Sequence, residues 1–315
     1  MNTFSKQLDY NIIQIDTGYL RTGLAACYLI IDNSRVAVID SGVERTCGRV
    51  EAVLAGQGLT FNNVDFIVPT HVHLDHAGGA GKLMQLCQNA RLVIHPLGSR
   101  HMIDPARLIA GAEAVYGKQG LHDSVGEIIP VDENRVIEAD DLYRFRLGER
   151  ELLVLDTPGH ARHHLCLWDE QSRGFFTGDT FGIAYPELDC DGYSFIFPPT
   201  TPVQFDPPAW HASIDRLMAW HPERMYLAHF GLLEAPVIYV NTLQRMIDDL
   251  AALALECNVP DKVLPAAVKR YIYQELKKHG CQLDKERLTQ VLDLDLDIII
   301  QGLEVWLERS QVSRP

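Results

Sequence analysis

The chain has 315 residues, 47% hydrophobic and 22% charged, values that exclude disordered and fibrous classes and give length for one large layered domain or two smaller ones. A formal net charge of −14 repels polyphosphate backbones, so no nucleic-acid partner is expected. No apolar run approaches the roughly 20 residues of a membrane helix, and the start MNTFSKQLDYNIIQID lacks a signal peptide's basic-then-apolar order, so no membrane partner and a cytoplasmic location are expected.

In chain order, the first stretch alternates β-rich runs with glycine or polar punctuation: YNIIQI, CYLII, VAVID, DFIVP and RLVIH. Between the last two, GGAGKLMQLCQNA reads as a helix. From Leu97 to about Asp123 the pattern turns helical or irregular, and strands resume with EIIPV, YRFRL, ELLVLD, HLCLW and GFFTGD. FGIAYPELDCDGYSFI and FPPTTPVQFDPP then form a proline- and aromatic-rich loop of about 25 residues, a length that usually serves a function. A helix from Trp210 to Trp220 precedes the strand MYLAHFG. From residue 236 onward apolar residues recur at helical spacing in three segments. Within the last of these LDLDLDIII alternates like a strand, yet Leu292, Leu296, Ile299, Leu303 and Trp306 fit one helical face. The expected organisation is an α/β catalytic region over 1–235 and a helical appendage over 236–315. The order VAVIDSG, helix, DFIVPTHVH is echoed by GFFTGDT, helix, RMYLAHFG, which suggests two similar halves.

Residues 68–79 read VPTHVHLDHAGG. His71 and His73 are two apart after a strand, where period-2 alternation turns both imidazoles to one side, so they can share one ion. Asp75 and His76 follow at the start of a helix and can serve a second ion. An aspartate there is often only an N-cap, and a lone histidine is usually structural. Three imidazoles desolvated together, however, cost several kcal/mol unless something compensates. Further donors stand in DTPGH (His160), TGDT (Asp179) and LAHFG (His229), each at or near the end of an expected strand. A carboxylate such as Asp179 can bridge two cations.

The set THVHLDH, TPGH, GDT and HFG, in this order and at these separations, resembles the metallo-β-lactamase-fold hydrolase superfamily, nearest in pattern to its glyoxalase II-like thioesterases and lactonases. The resemblance covers about residues 10–235. It implies an α/β fold, the αβ/βα four-layer sandwich, here with a C-terminal helical appendage. It also implies that His71, His73 and His160 bind one metal, that Asp75, His76 and His229 bind a second, and that Asp179 bridges them. The aspartate at position 40 would orient a ligand imidazole from behind. Two divalent ions, zinc by default and iron or manganese by the same donor chemistry, would supply hydroxide for attack on a small ester, thioester or lactone. Asp75 would hydrogen-bond the nucleophile and pass its proton to the leaving group. The alternative is a mononuclear iron oxygenase of the persulfide dioxygenase kind.

Phe181, Tyr185 and Tyr193 are candidates for lining the substrate pocket. Lactonases of the family usually carry a tyrosine three residues after the bridging aspartate, where this chain has Gly182. Arg162 is read as a surface charge, His163 and His164 as structural, and the remaining histidines as ordinary residues. GGAGKL lacks the Ser or Thr of a phosphate loop, and no GxSxG elbow is present. Seven scattered cysteines without a CxxC pair argue for reduced thiols. The C-terminal helices are expected to form a partial lid and to contribute to a homodimer.

Overall fold

The structure, a computed structural model, describes residues 2–201, 204–257 and 263–312. The chain divides into two compact units. One comprises residues 1–156, 163–178 and 221–234; the other comprises 157–162, 179–220 and 235–315.

Unit one holds two mixed sheets. The first runs in order from β1 (Ser5–Gln7) through β2 (Ile12–Asp16), β3 (Ala26–Asp32), β4 (Arg35–Ile39), β5 (Val64–Val68) and β6 (Arg91–Ile94) to β7 (Val136–Glu138). Its first four strands pair antiparallel and β4 to β7 pair parallel. Parallel pairing needs crossovers, and these are α1 (Thr46–Gly56), α2 (Leu74–Ala77) with α3 (Ala80–Leu86), and α4 (Pro96–Ile103) with α5 (Ala106–Val125). The second sheet contains β8 (Arg144–Leu147), β9 (Arg150–Asp156), β10 (Leu165–Asp169), β11 (Gly174–Gly178), β12 (Arg224–Leu227) and β13 (Gly231–Glu234), adjacent in that order. Only β11 and β12 pair parallel in it.

Strand alternation sorts the first sheet's side chains into two cores. Ile13, Ile15, Cys27, Leu29, Val36, Val38 and Ile67 pack against Val50, Leu54, Leu83 and Met102 of the helices. Their neighbours Ile12, Ala26, Tyr28, Ile30, Ala37, Ile39 and Val68 pack instead against Leu152, Val154, Leu165, Leu167, Phe176 and Tyr226 of the second sheet. A period of 2 produces this division when both faces are buried. The echo between halves is visible in the pairing: β4 lies parallel to β5, and β11 parallel to β12.

Unit two carries α6 (Pro207–Met218), α7 (Val240–Glu256), α8 (Val263–His279) and α9 (Lys285–Val312). The ambiguous LDLDLDIII is helical. Leu292, Leu296, Ile299 and Leu303 are fully buried while Leu294 is exposed, the division a 3.6 period requires. Among the described residues no helix is long and apolar enough to cross a membrane.

Several sequence expectations need correction. EIIPV forms no strand: Ile128, Ile129 and Val131 are buried, but Val131 N–H donates to Met102 O at 2.8 Å at the end of α4 rather than to a ladder. The helix expected over GGAGKLMQLCQNA is confined to Ala80–Leu86. Four of the cysteines are buried, and Cys190, Cys257 and Cys281 are partly exposed; all seven are free thiols.

Candidate metal centre

In unit one, β5 ends at Val68 because Pro69 has no N–H for the ladder. His71 and His73 therefore lie beyond the strand, and their approach comes from the following turn rather than from strand alternation. His71 Nε2 stands 2.8 Å from His73 Nδ1. His71 is fixed from behind by Thr70 Oγ1, 3.1 Å from Nδ1, and its ring stacks on buried His164 at 4.8 Å between centroids.

The short helix α2 presents Asp75 and His76. His76 Nδ1 is 3.0 Å from Asp40 Oδ2, so its other nitrogen, Nε2, turns toward Asp75 Oδ2 at 3.6 Å. His229, just past β12, donates from Nδ1 to Leu24 O at 2.7 Å and sets Nε2 3.2 Å from the same carboxylate oxygen. Asp75, His76 and His229 each offer one donor atom that could bind an ion, and these atoms all lie within 4.8 Å of one another. Asp40 sits at the exit of β4 with φ of 56°, a left-handed conformation that aspartate tolerates better than most residues. Its Oδ1 accepts from Thr70 N at 2.8 Å and from Thr70 Oγ1 at 2.9 Å. One carboxylate thus steadies both the turn that carries His71 and the ring of His76.

In unit two, His160 follows the Pro-Gly turn. Its Nδ1 donates to Pro199 O at 2.8 Å, its carbonyl accepts from Thr201 Oγ1 at 3.0 Å, and Nε2 faces Asp179 Oδ2 at 3.2 Å. The indole of Trp210 on α6 stands edge-on to His160 at 5.7 Å and donates from Nε1 to Thr180 O at 2.6 Å, which fixes the segment carrying Asp179.

The chemistry of these donors fits a divalent cation. A neutral imidazole that donates from Nδ1 to a carbonyl carries a lone pair on Nε2. For His229 against Asp75, and for His160 against Asp179, lone pair then faces carboxylate oxygen. Such a contact is repulsive until a cation stands between them. All-nitrogen-and-oxygen donors suit zinc, iron or manganese.

Of the other sequence candidates, Phe181 and Tyr185 are buried within unit two, and the Tyr185 hydroxyl is 3.0 Å from Asp295 Oδ1 on α9; Tyr193 is exposed. At Gly182 φ is +79°, and a Cβ would lie 2.9 Å from Phe197 O and 3.0 Å from Leu243 Cδ1. No side chain fits there, a tyrosine least of all. Sequence reading missed Thr70 as an anchor and took His163 as structural. His163 is buried beside His73, with ring centroids 5.9 Å apart. Burial first, and then the neighbouring His73, His101 and His95, push its pKa down to about 3. It therefore stays neutral, and the only sequence signal for it was adjacency to His164 in ARHHL.

Two stacked mixed sheets with histidine and aspartate donors gathered in the turns that follow their strands define a metal-binding α/β sandwich protein. The family model described as the metallo-beta-lactamase superfamily matches residues 20–229, and the chain belongs to that superfamily. It is 28% identical over 228 residues to the metallo-beta-lactamase fold-containing protein ST1585 of Sulfurisphaera tokodaii, covering 71% of this chain and 79% of that protein. It is 30% identical over 118 residues to the acyl-coenzyme A thioesterase MBLAC2 of Bos taurus, a match spanning 36% of this chain and 39% of the relative. Hydroxyacylglutathione hydrolase of Rhodospirillum rubrum is 26% identical over 144 residues, 46% of this chain and 42% of that enzyme. The matches to these two enzymes thus span less than half of each. Among solved structures, ST1585 superposes with a TM-score of 0.61 at 22% identity, over 94% of this chain and 99% of the other. The metallo-beta-lactamase family protein TTHA1429 of Thermus thermophilus gives 0.62 at 20% identity, over 98% and 93%. These likenesses establish the fold as the αβ/βα sandwich.

Proposed function

We propose that the protein is a dinuclear metal-dependent hydrolase that cleaves the acyl bond of a small thioester, ester or lactone. The observation that carries this reading is the common arrangement of imidazoles: His71, His76, His160 and His229 each engage Nδ1 with a fixed outer partner and aim Nε2 at another donor. His71, His73 and His160 would hold one ion, and Asp75, His76 and His229 the other. Asp179 would stand between the two, following the order of the superfamily's motifs. The catalytic region is proposed as residues 1–235, with 236–315 as its helical appendage.

A bound pair of divalent ions supplies carbonyl polarisation and a water whose pKa is brought toward about 7. The chain's own residues supply the rest. The outer hydrogen bonds fix the imidazole rings, so little reorganisation is needed when substrate arrives. Asp75 is partly exposed, at 23% of its side chain, which gives its carboxylate access to reactants that the buried Asp179 lacks. It is placed to accept a proton from water and return it to the leaving group. A thioester is favoured within the substrate class, because two relatives carry the names acyl-coenzyme A thioesterase and hydroxyacylglutathione hydrolase. Gly182, at the position where lactonases of the superfamily usually carry tyrosine, weighs against a lactone.

Purified protein assayed against acyl thioesters, simple esters, lactones, phosphodiesters and β-lactams should hydrolyse the thioesters best. Asp75→Asn should lower kcat by about 10²–10⁴-fold, the usual contribution of a general acid–base. Wild-type turnover in that variant would remove Asp75 from its role. Oxygen uptake with a persulfide and no hydrolysis of any acyl substrate would favour the iron-dependent alternative.

A further inference from the structure

We infer that Thr200 is a positioning residue that couples the C-terminal helix α9 to His160. This rests on the metal-centre reading above, in which His160 is a ligand.

The segment Pro199–Thr200–Thr201 touches His160 on one side and α9 on the other. Pro199 O accepts the Nδ1 proton of His160 at 2.8 Å, and Thr201 Oγ1 donates to His160 O at 3.0 Å. Between them Thr200 points the opposite way, and its Oγ1 donates to Ile299 O in α9 at 2.9 Å. Thr200, His160 and Ile299 are all fully buried. The approach of α9 is close: a Cβ on Gly302 would lie 2.6 Å from Thr200 O and 2.8 Å from its carbonyl carbon, so only glycine lets the helix sit there. A second tie, from Tyr185 hydroxyl to Asp295 Oδ1 at 3.0 Å, joins the same helix to the same loop one turn earlier. The carbonyl that orients the His160 ring is thus held by a peptide segment whose far side is clamped by α9. The appendage supplies an outer support of the site, in addition to any role as a cover.

The geometry gives a separable test. Ile299 O retains its intrahelical partner when the threonine hydroxyl is lost, so Thr200→Val, of nearly the same shape, removes the tether while keeping the packing. Metal-depleted protein titrated with cobalt(II) alone, followed by its visible absorption, reads the two ions without any substrate. Thr200→Val keeps the Pro199 carbonyl and loosens only its support, so it should weaken the ion that shares His160 by about 3–10-fold, less than the about 10–100-fold of losing a ligand's own outer partner, and leave the ion held by His76 and His229 as in wild type. Thr200→Ser, which keeps the hydroxyl, should restore the affinity. Thr200→Ser against Thr200→Ala gives the same comparison at equal loss of the methyl group, should the valine variant fold poorly. Gly302→Ala should reproduce the selective weakening. Equal weakening of both ions would mean a general structural role and overturn the inference, as would wild-type affinities in Thr200→Val while His160→Ala loses an ion. Wild-type protein that takes up no cobalt would overturn the metal-centre reading and this inference together.

Discussion

Asp40 shows how much one side chain outside the ligand set can determine. Its two oxygens hold the Thr70 backbone and hydroxyl on one side and His76 Nδ1 on the other. Acceptor oxygens on Asp40 force the His76 proton onto Nδ1 and leave Nε2 to bind. Asp40→Asn keeps the shape but can present an NH2 group to Nδ1, which moves the ring proton to Nε2 and blocks it, the tautomer fault known from catalytic triads. Metal affinity measured by competition with a chromophoric chelator should fall about 10–100-fold, with the melting temperature of the metal-free protein little changed; unchanged affinity would contradict the orienting role. The position was legible from VIDSG only through family resemblance, since an aspartate before Ser-Gly also reads as a turn residue. Thr70 was not legible, because its importance comes from a ring and a carboxylate that reach it only in the folded chain. The candidate cluster His71, His73 and His76 was legible, because three imidazoles within six positions are costly without a cation, whereas the roles of His160, Asp179 and His229 came from the family resemblance.

Secondary structure elements were readable where burial and periodicity agreed. The strands β2 to β6 and β8 to β12 carry apolar runs that match their buried spans. The short strands β1, β7 and β13 escaped, since SKQ, VIE and GLLE hold neither more than two consecutive apolar residues nor an alternation. EIIPV shows the converse failure: an apolar run is evidence of burial, and hydrogen bonding decides separately whether a ladder forms. Electrostatics inside elements is likewise invisible in sequence. Arg150 on β9 and Asp169 on β10 form a buried two-point pair, with Nε to Oδ1 at 2.7 Å and Nη2 to Oδ2 at 2.5 Å, and Arg150 Nη1 also donates to Tyr10 O at 2.6 Å. Removing one partner strands a buried charge. Arg150→Ala should cost about 3–5 kcal/mol in urea unfolding, and a loss below about 1 kcal/mol would show that the pair is not buried as described.

Between α7 and α8 lies a second pair set. Glu275 is buried; burial alone would raise its pKa, but hydrogen bonds from Lys278 and Arg245 outweigh this and hold it below the ordinary value of 4.5. A carboxylate with a lowered folded pKa contributes stability above its unfolded pKa, and that contribution is lost as pH falls through the folded value. Because both cationic partners are largely exposed, screening limits the contribution to about 1 kcal/mol. Glu275→Gln should therefore lower the melting temperature at pH 7, and its difference from wild type should shrink below pH 4.5. A difference independent of pH would mean that packing, not charge, is responsible.

For the molecule as a whole, the acidic balance and the histidine cluster point the same way. The chain carries a formal charge of −14, and its few concentrated imidazoles lie beside carboxylates whose repulsion a cation relieves. The echo between halves, in which β4 and β11 each exit at an aspartate and β5 and β12 each lead to histidines, puts the donors at equivalent ends of two parallel strand pairs. Substrate identity has no comparable signature, since no period encodes how a loop such as residues 181–201 packs. The most direct test is elemental analysis of the purified protein with and without chelator treatment, read alongside thioester hydrolysis and melting temperature. The account predicts two divalent ions per chain, loss of both ions and of hydrolysis on chelation with a fall in melting temperature, and recovery when zinc is returned. Full hydrolysis by a chain stripped of metal would contradict it.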